Sequence, residues 1–458
     1  MELLKRKPAV YFRSANFAAD MSNAELDIGD VAPRLVARMP SGISELRSEL
    51  GQMLKSGEIR PGTDLTKIGI PASFMLPFST ASLSLHASAL DATGATAVLG
   101  ASDPVGRMLR MLSGKLAVTS QTLTAAMMKP YNPIIGEVCI ACSDGAVAAP
   151  GSSCLGSAPA AAAAPAAGDS SDASWRAIVE QVSHHPPITA SALEGESHGG
   201  FFRNVSSTIA VPMFYGNYVE VRMTIYGSET TLTLPGGQVE VYRIKSLPSV
   251  YLRGVMGVGA SFCEWAGVLE IECAQNGLVG RIDYKPAGYF GLGDRHVVKG
   301  TVTQNGAKLC QISGKWTRRV VATMASGAAE VEMLPAPSGG EDRPTEIAAL
   351  QEPPPYGVPA HSLAWERHPS NVWGELTAAL KARDWNTARA AKATIEEGRR
   401  VEAKAMRAAG EKWETSLFYA VPVPPGKNNA PDVAWLVRDG AFKRAFDPTA
   451  PPPCKPMQ

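Results

Sequence analysis

Long apolar runs are missing from this chain. No stretch reaches the roughly 18 apolar residues that a membrane-spanning helix needs, and Met1 to Phe12 carries basic side chains with no apolar run behind it, unlike a secretory signal. Net charge is nearly absent as well. The 44 basic and 43 acidic side chains leave a formal +1, which removes the electrostatic footprint of a general nucleic-acid binder. Any attraction to a membrane must come from local patches. Cysteine is sparse: seven in 458 residues, an odd number, scattered without a framework. That suits a reducing compartment, so the cytosol is the expected address. Cys139 and Cys142 form a lone CxxC with no second CxxC or nearby His pair, so buried or loop cysteines are expected rather than a zinc or redox site.

What is present is a large apolar fraction, 45% of the residues, enough for a sizeable core. Apolar residues at 43, 46, 50 and 54 predict an amphipathic helix over Ile43 to Leu54. Residues 64–80, with two prolines, read as an extended, partly buried segment. Asp103 and Pro104 offer an N-cap and a first-turn proline for a helix over Val105 to Met128. Lys129 to Ile140 then reads as a polar turn leading into an apolar strand. Residues 143–173 are mostly Ala, Gly, Ser and Pro, too poor in bulky apolar groups to offset their ordering entropy, and are expected to be a disordered surface insertion. From Trp175 to about Val320, segments rich in Val, Ile, Thr and Tyr alternate with turn signals such as Leu234 to Gln238 and Gln304 to Ala307. That spacing predicts a large antiparallel sheet or barrel. A proline-rich loop over 335–360, a helical region from Trp373 to Ala409 and a last stretch packing on the sheet complete the chain. The class is β-dominated α+β, with helices flanking the strands at both ends.

Three constellations carry chemistry. In Glu180-Gln-Val-Ser-His-His-Pro-Pro187, the prolines hold His185 in a stiff, non-helical backbone. Adjacent imidazoles at His184 and His185 can both donate to one cluster of anionic oxygens. The plainer alternative is a strand end whose histidines bond within a loop. A metal site lacks a third ligand at a familiar spacing, and an acid–base pair lacks a nucleophile, since Ser183 sits in no elbow context. In Lys129-Pro-Tyr-Asn-Pro-Ile-Ile-Gly-Glu137, two prolines stiffen a turn that presents Lys129 and Asn132. On a charged helix, Lys392, Glu396 and Arg400 stand one turn apart on one face, so a carboxylate can orient two cations toward a phosphate. A solvated ion-pair stripe is the usual meaning of such a pattern.

Taken together, these segments resemble the oxysterol-binding-protein-related family. EQVSHHPP is that family's signature octapeptide, KPYNPIIGE is similar to its KPFNPLLGE segment, and KATIEEGRR at 392–400 is similar to its K-x-x-x-E-E-x-Q-R helix. DLTKIGIPASFMLPFS at 64–79 and the stretch from His296 to Trp316 resemble further family segments, and the likeness spans roughly residues 40–445. The departures at the site are Tyr131, Ile134-Ile135, Val138 and Arg399, and none removes a phosphate donor. The 143–173 insertion is the larger departure.

The resemblance implies a large, nearly closed antiparallel β-barrel over residues 41–446 around a hydrophobic tunnel. Residues 1–40 would be an N-terminal lid and 447–458 a disordered tail. It implies a non-enzymatic monomer that takes one lipid at a time: phosphatidylinositol 4-phosphate, or else a sterol or phosphatidylserine, exchanged between membranes or sensed without net transport. Transient contact with intracellular membranes is implied too, with no cofactor, metal or nucleic acid. Carried over residue by residue, the headgroup ligands would be Lys129, Asn132, His184, His185, Lys392, Glu396 and Arg400.

Overall fold

The computed structural model describes residues 39–66, 68, 72, 75–122, 129–143, 173–184, 186–258, 262–288, 293–327, 330–336, 356–422 and 433–453. The expected lid over 1–40 and insertion over 143–173 therefore fall almost wholly outside the described residues, and His185 does too.

The helix expected at 43–54 is α1, Met39–Ser56. Arg47 donates from Nε to the Val255 carbonyl at 3.2 Å and from Nη2 to that of Gly254 at 3.0 Å, tying α1 to a distant turn. A second helix, α2 (Thr80–Leu99), was not anticipated. Its alanines and serines make no apolar stripe, so its period is hidden. Its start is nonetheless well made: Ser79 ends the extended segment and its hydroxyl accepts the Ser82 N–H at 3.2 Å. Helix α3 (Pro104–Thr122) begins as expected, with Asp103 accepting the Gly106 N–H at 2.9 Å.

Among the described residues there are eighteen strands. β1 (Thr63–Asp64), β2 (Met75–Ser79), β3 (Lys129–Tyr131) and β4 (Val138–Cys142) are short. β5 (Ser174–His184), β6 (Pro187–Ser197), β7 (Gly200–Phe214) and β8 (Tyr218–Thr233) are the long ones. β9 (Val239–Ser246), β10 (Ser249–Arg253), β11 (Phe262–Cys273) and β12 (Leu278–Lys285) continue the array. β13 (Val297–Gln304), β14 (Ala307–Lys315), β15 (Val320–Met324) and β16 (Glu330–Leu334) finish it. Fourteen of these make a single sheet, running β16 through β10 to β8, β7, β6, β5 and β4, with β1 and β9 joined at its side. Its pairings are antiparallel throughout, as the strand spacing predicted. The long strand β8 pairs with β7 through a register shift between Val205 and Ser207. The turn expected at Gln304 to Ala307 has Asn305 at φ +49° and Gly306 at φ +85°, the left-handed pair of a tight hairpin.

The helical region near the C-terminus is two helices, α4 (Pro369–Ala382) and α5 (Trp385–Ala409). They are divided because Arg383 adopts φ +59° and Asp384 caps the next helix, accepting the Thr387 N–H at 3.0 Å. A hairpin of β17 (Phe418–Pro422) and β18 (Val433–Val437), then α6 (Ala441–Phe446), closes the described chain. These last elements pack on one face of the sheet. Leu417, Phe418 and Phe442 meet Ile140, Ile178, Ile188 and Ala190 there. The opposite face turns toward α1, α2 and α3 and holds the main core. Among the described residues no helix is long and apolar enough to cross a membrane. Cys139 and Cys142, three apart on β4, point to opposite faces of the sheet.

Candidate functional site

A cavity of about 400 Å³ lies between the three N-terminal helices and that second sheet face, a size ordinary for a small-molecule site. Strand alternation builds its walls. Val219, Val221, Met223 and Ile225 of β8 point in, as do Val250 and Leu252 of β10. Leu50 and Met53 of α1 close one side. The wall from β6 and β7 is more polar, with Thr189, Ser191, Asn204, Ser206 and Thr208. Asn204 is satisfied there by the Thr230 hydroxyl at 2.8 Å. Asp91 of α2 and Lys115 of α3 pair across the helix side of the cavity, with both carboxylate oxygens 2.7 Å from the amine. None of these lining residues had been legible as such in the sequence.

One rim of the cavity belongs to the quoted motifs. Lys129, Pro130, Asn132 and Pro133 line it, and so do Gln181 and Pro187 from either side of the histidine pair. The two motifs are bonded backbone to backbone: the Gly136 N–H reaches the Gln181 carbonyl at 2.8 Å, and the Gln181 N–H reaches that of Glu137 at 2.9 Å. Lys129 donates to Asn132 Oδ1 at 2.6 Å. Burial and, after it, the Lys392 ammonium lower the Lys129 amine to about 8, with the Glu396 carboxylate acting the other way. Ala388, Ala391 and Ile395 of α5 pack in one cluster with Tyr131 and Ile134, which sets α5 beside the Lys129 turn. Along α5, Lys392 pairs with Glu396 at 2.8 Å, while Arg400 lies 3.3 Å from Glu397 and 3.9 Å from Glu396. The Arg400 side chain is 72% exposed, so it stands at the outer edge of the group. His184 ends β5, half-buried, with Pro187 as its cross-strand partner. Of the seven residues singled out, Lys129 and Asn132 are bonded on the rim, Lys392 and Glu396 are paired on α5 with Arg400 beyond them, and His184 ends the adjoining strand. His185 lies outside the described residues.

The motif glutamates proved to be anchors, a role the sequence reading missed. Glu137 is fully buried and accepts from the Ser79 hydroxyl, the Trp373 indole N–H at 2.8 Å and the Ile134 N–H at 3.2 Å. Glu180, equally buried, accepts the N–H groups of Ser416 and Leu417, each at 2.8 Å. Burial pushes both carboxyls up to about 7, against the pull of those donors. Their placement inside the two most recognisable segments was the available signal. Tyr131 stacks on Trp373 with ring centres 4.7 Å apart and shares a hydrogen bond with Thr377, which fixes the turn against α4. Gly136 takes φ +72°, and a Cβ there would fall 2.0 Å from the Trp413 ring, so only glycine fits. Among the described residues no three His, Cys, Asp or Glu side chains gather to hold a metal ion.

A family profile described as oxysterol-binding protein matches residues 52–445. The chain is 26% identical over 383 residues to human oxysterol-binding protein-related protein 5, an alignment covering 83% of this chain and 38% of that protein. It is 25% identical over 376 residues to Arabidopsis thaliana oxysterol-binding protein-related protein 4A, covering 79% and 83%. The chain thus spans well under half of the human relative and most of the plant one. Among solved structures, the Osh1 ORD domain in complex with cholesterol matches with a TM-score of 0.62 at 19% identity, covering 87% of this chain and 88% of that one. The Osh3 ORD in complex with PI(4)P from Saccharomyces cerevisiae matches at 0.56 and 16% identity, covering 88% and 94%. At those identities the likeness is one of fold.

Proposed function

The chain belongs to the oxysterol-binding protein family, and from that premise we propose that it binds one lipid at a time in the cavity and moves lipids between membranes. A phosphatidylinositol 4-phosphate headgroup sits at the rim, with Lys129, Asn132, His184, His185, Lys392 and Arg400 donating to its phosphate and Glu396 orienting the two cations of α5. A sterol or phosphatidylserine is the second ligand, excluding the first from the same space and so permitting counter-exchange. The work is done in the cytoplasm, at the surface of intracellular membranes, by a monomer without catalytic chemistry.

The observation that carries this reading is that Lys129 and Asn132, bonded to each other, line the edge of an apolar cavity, with the turn they belong to packed against the helix that bears Lys392 and Glu396. A phosphomonoester brings about −1.5 to −2 charges, which matches a cluster of amines and a guanidinium. The acyl chains gain about 0.8 kcal/mol for each CH₂ removed from water, which matches the Val and Ile wall. The cholesterol and PI(4)P complexes of the related folds support both ligand classes.

Liposome extraction tests it. The wild-type chain should withdraw phosphatidylinositol 4-phosphate from donor vesicles, and the double substitution His184→Ala with His185→Ala should abolish this while the fold survives. Undiminished extraction by that variant would contradict the headgroup assignment. Delivery to acceptor vesicles separates transport from retention: a chain that binds and never delivers is a lipid sensor.

A further inference from the structure

Helix α5 carries Lys392 and Arg400, yet little of it is buried. Only Ala388 and Ala391 are fully enclosed, both in its first two turns. The second half, where Arg400 stands, needs another attachment to hold its cations against the Lys129 turn. That attachment is a small network centred on Arg367.

Arg367 is 6% exposed and precedes α4. Its backbone carbonyl accepts the Val138 N–H at 3.2 Å. Its guanidinium donates from Nη1 to the Ile135 carbonyl at 2.7 Å and from Nη2 to Glu402 of α5. The same guanidinium lies 4.2 Å from the centre of the Trp413 ring, the ring that covers Gly136. Glu402 also receives Arg399, at 2.5 Å. One carboxylate on α5 is thus gripped by two guanidiniums, and one of those is bonded directly to the backbone that follows Asn132. Planar, forked guanidinium geometry makes such a bridge stiff, which a lysine could not reproduce.

Resting on the proposed headgroup site, we propose that Arg367 and Glu402 are positioning residues that set the cationic face of α5 against the 129–135 turn. Neither touches the lipid. Each acts through the groups it holds, fixing the separation between Lys129 and the pair Lys392 and Arg400. Charge-assisted hydrogen bonds to one oxygen cluster depend on donor geometry, so cations displaced on α5 would hold a phosphate less tightly. The cavity, built by other elements, is untouched by this network.

The test compares two probes on the full chain: phosphatidylinositol 4-phosphate in vesicles, and a fluorescent diacylglycerol that fills the cavity without a phosphate. Glu402→Ala is expected to weaken the phosphoinositide about ten- to thirtyfold while diacylglycerol loading stays within twofold. Arg367→Lys, which keeps charge and loses the fork, is expected to show the same split at smaller size, and Glu402→Asp to recover part of the loss. Lys129→Ala serves as the reference for the site itself. If Lys129→Ala abolishes phosphoinositide binding and Glu402→Ala does not alter it, the positioning role is overturned and the site stands. If Glu402→Ala and Arg367→Lys lower both probes equally, their role is fold stability alone, and the inference is likewise overturned. If the wild-type chain shows no preference for the phosphorylated lipid, the headgroup reading itself fails first.

Discussion

At the rim of the cavity, Lys129 meets Asn132 and feels Lys392 and Glu396 across a gap between segments far apart in sequence. In the interior, Val219, Val221, Met223 and Ile225 face inward from one strand, spaced by two. The rim depends on identity: a particular amine, amide or guanidinium must stand at a particular point. The interior depends on period and volume, and many apolar side chains would serve. Such a difference separates selectivity from capacity, because a rim can choose a headgroup while a greasy wall accepts most alkyl chains. It also gives each region its own mode of failure.

The largest effect should come from breaking the scaffold that both regions share. Glu180→Ala strands the buried N–H groups of Ser416 and Leu417 and should destabilise the fold by about 3 kcal/mol, at about 1–3 kcal/mol for each unsatisfied group. Denaturant unfolding reads this, and both kinds of lipid should load poorly. Next comes a change confined to the interior. Met223→Trp places a ring in empty space and should cut loading of every lipid about tenfold, while leaving the melting temperature unchanged or slightly raised, since no packed neighbour is displaced. A loss of phosphoinositide alone in that variant would erase the distinction between the two regions.

The smallest of these effects is one of pH and should touch the rim only. With its amine lowered to about 8, Lys129 is charged below that pH and neutral above it. The phosphate is already doubly ionised above its second pKa of about 6. From pH 7.5 toward pH 9 phosphoinositide affinity should therefore fall about several-fold, as expected from losing one charge-assisted hydrogen bond. Lys129→Arg, charged throughout, should flatten that fall. An identical pH profile for a phosphate-free lipid would place the titration elsewhere.

The same contrast explains what could be read without a structure. The motifs at 129–137, 180–187 and 392–400 were legible because stiffened turns and one-turn charge spacing are local patterns. The antiparallel strands were legible through turn signals and period. Helix α2 was not, since small residues surround it on every side and conceal its buried face. The division of α4 from α5 hinges on a single left-handed residue, Arg383, a conformation that a cation does not advertise. The parts played by Glu137, Arg367 and Glu402 depend on partners distant in the chain, Trp373, Ile135 and one another, so no local pattern could announce them.

The most direct measurement is the ratio of affinities for phosphatidylinositol 4-phosphate and phosphatidylinositol, two lipids that differ by one phosphate and share the cavity's demands. A ratio of about 100 in the wild-type chain, on the scale of one or two charge-assisted hydrogen bonds, collapsing toward one in Lys129→Ala, is the expected result. Equal affinity for the two lipids in the wild-type chain would contradict a phosphate-gripping rim.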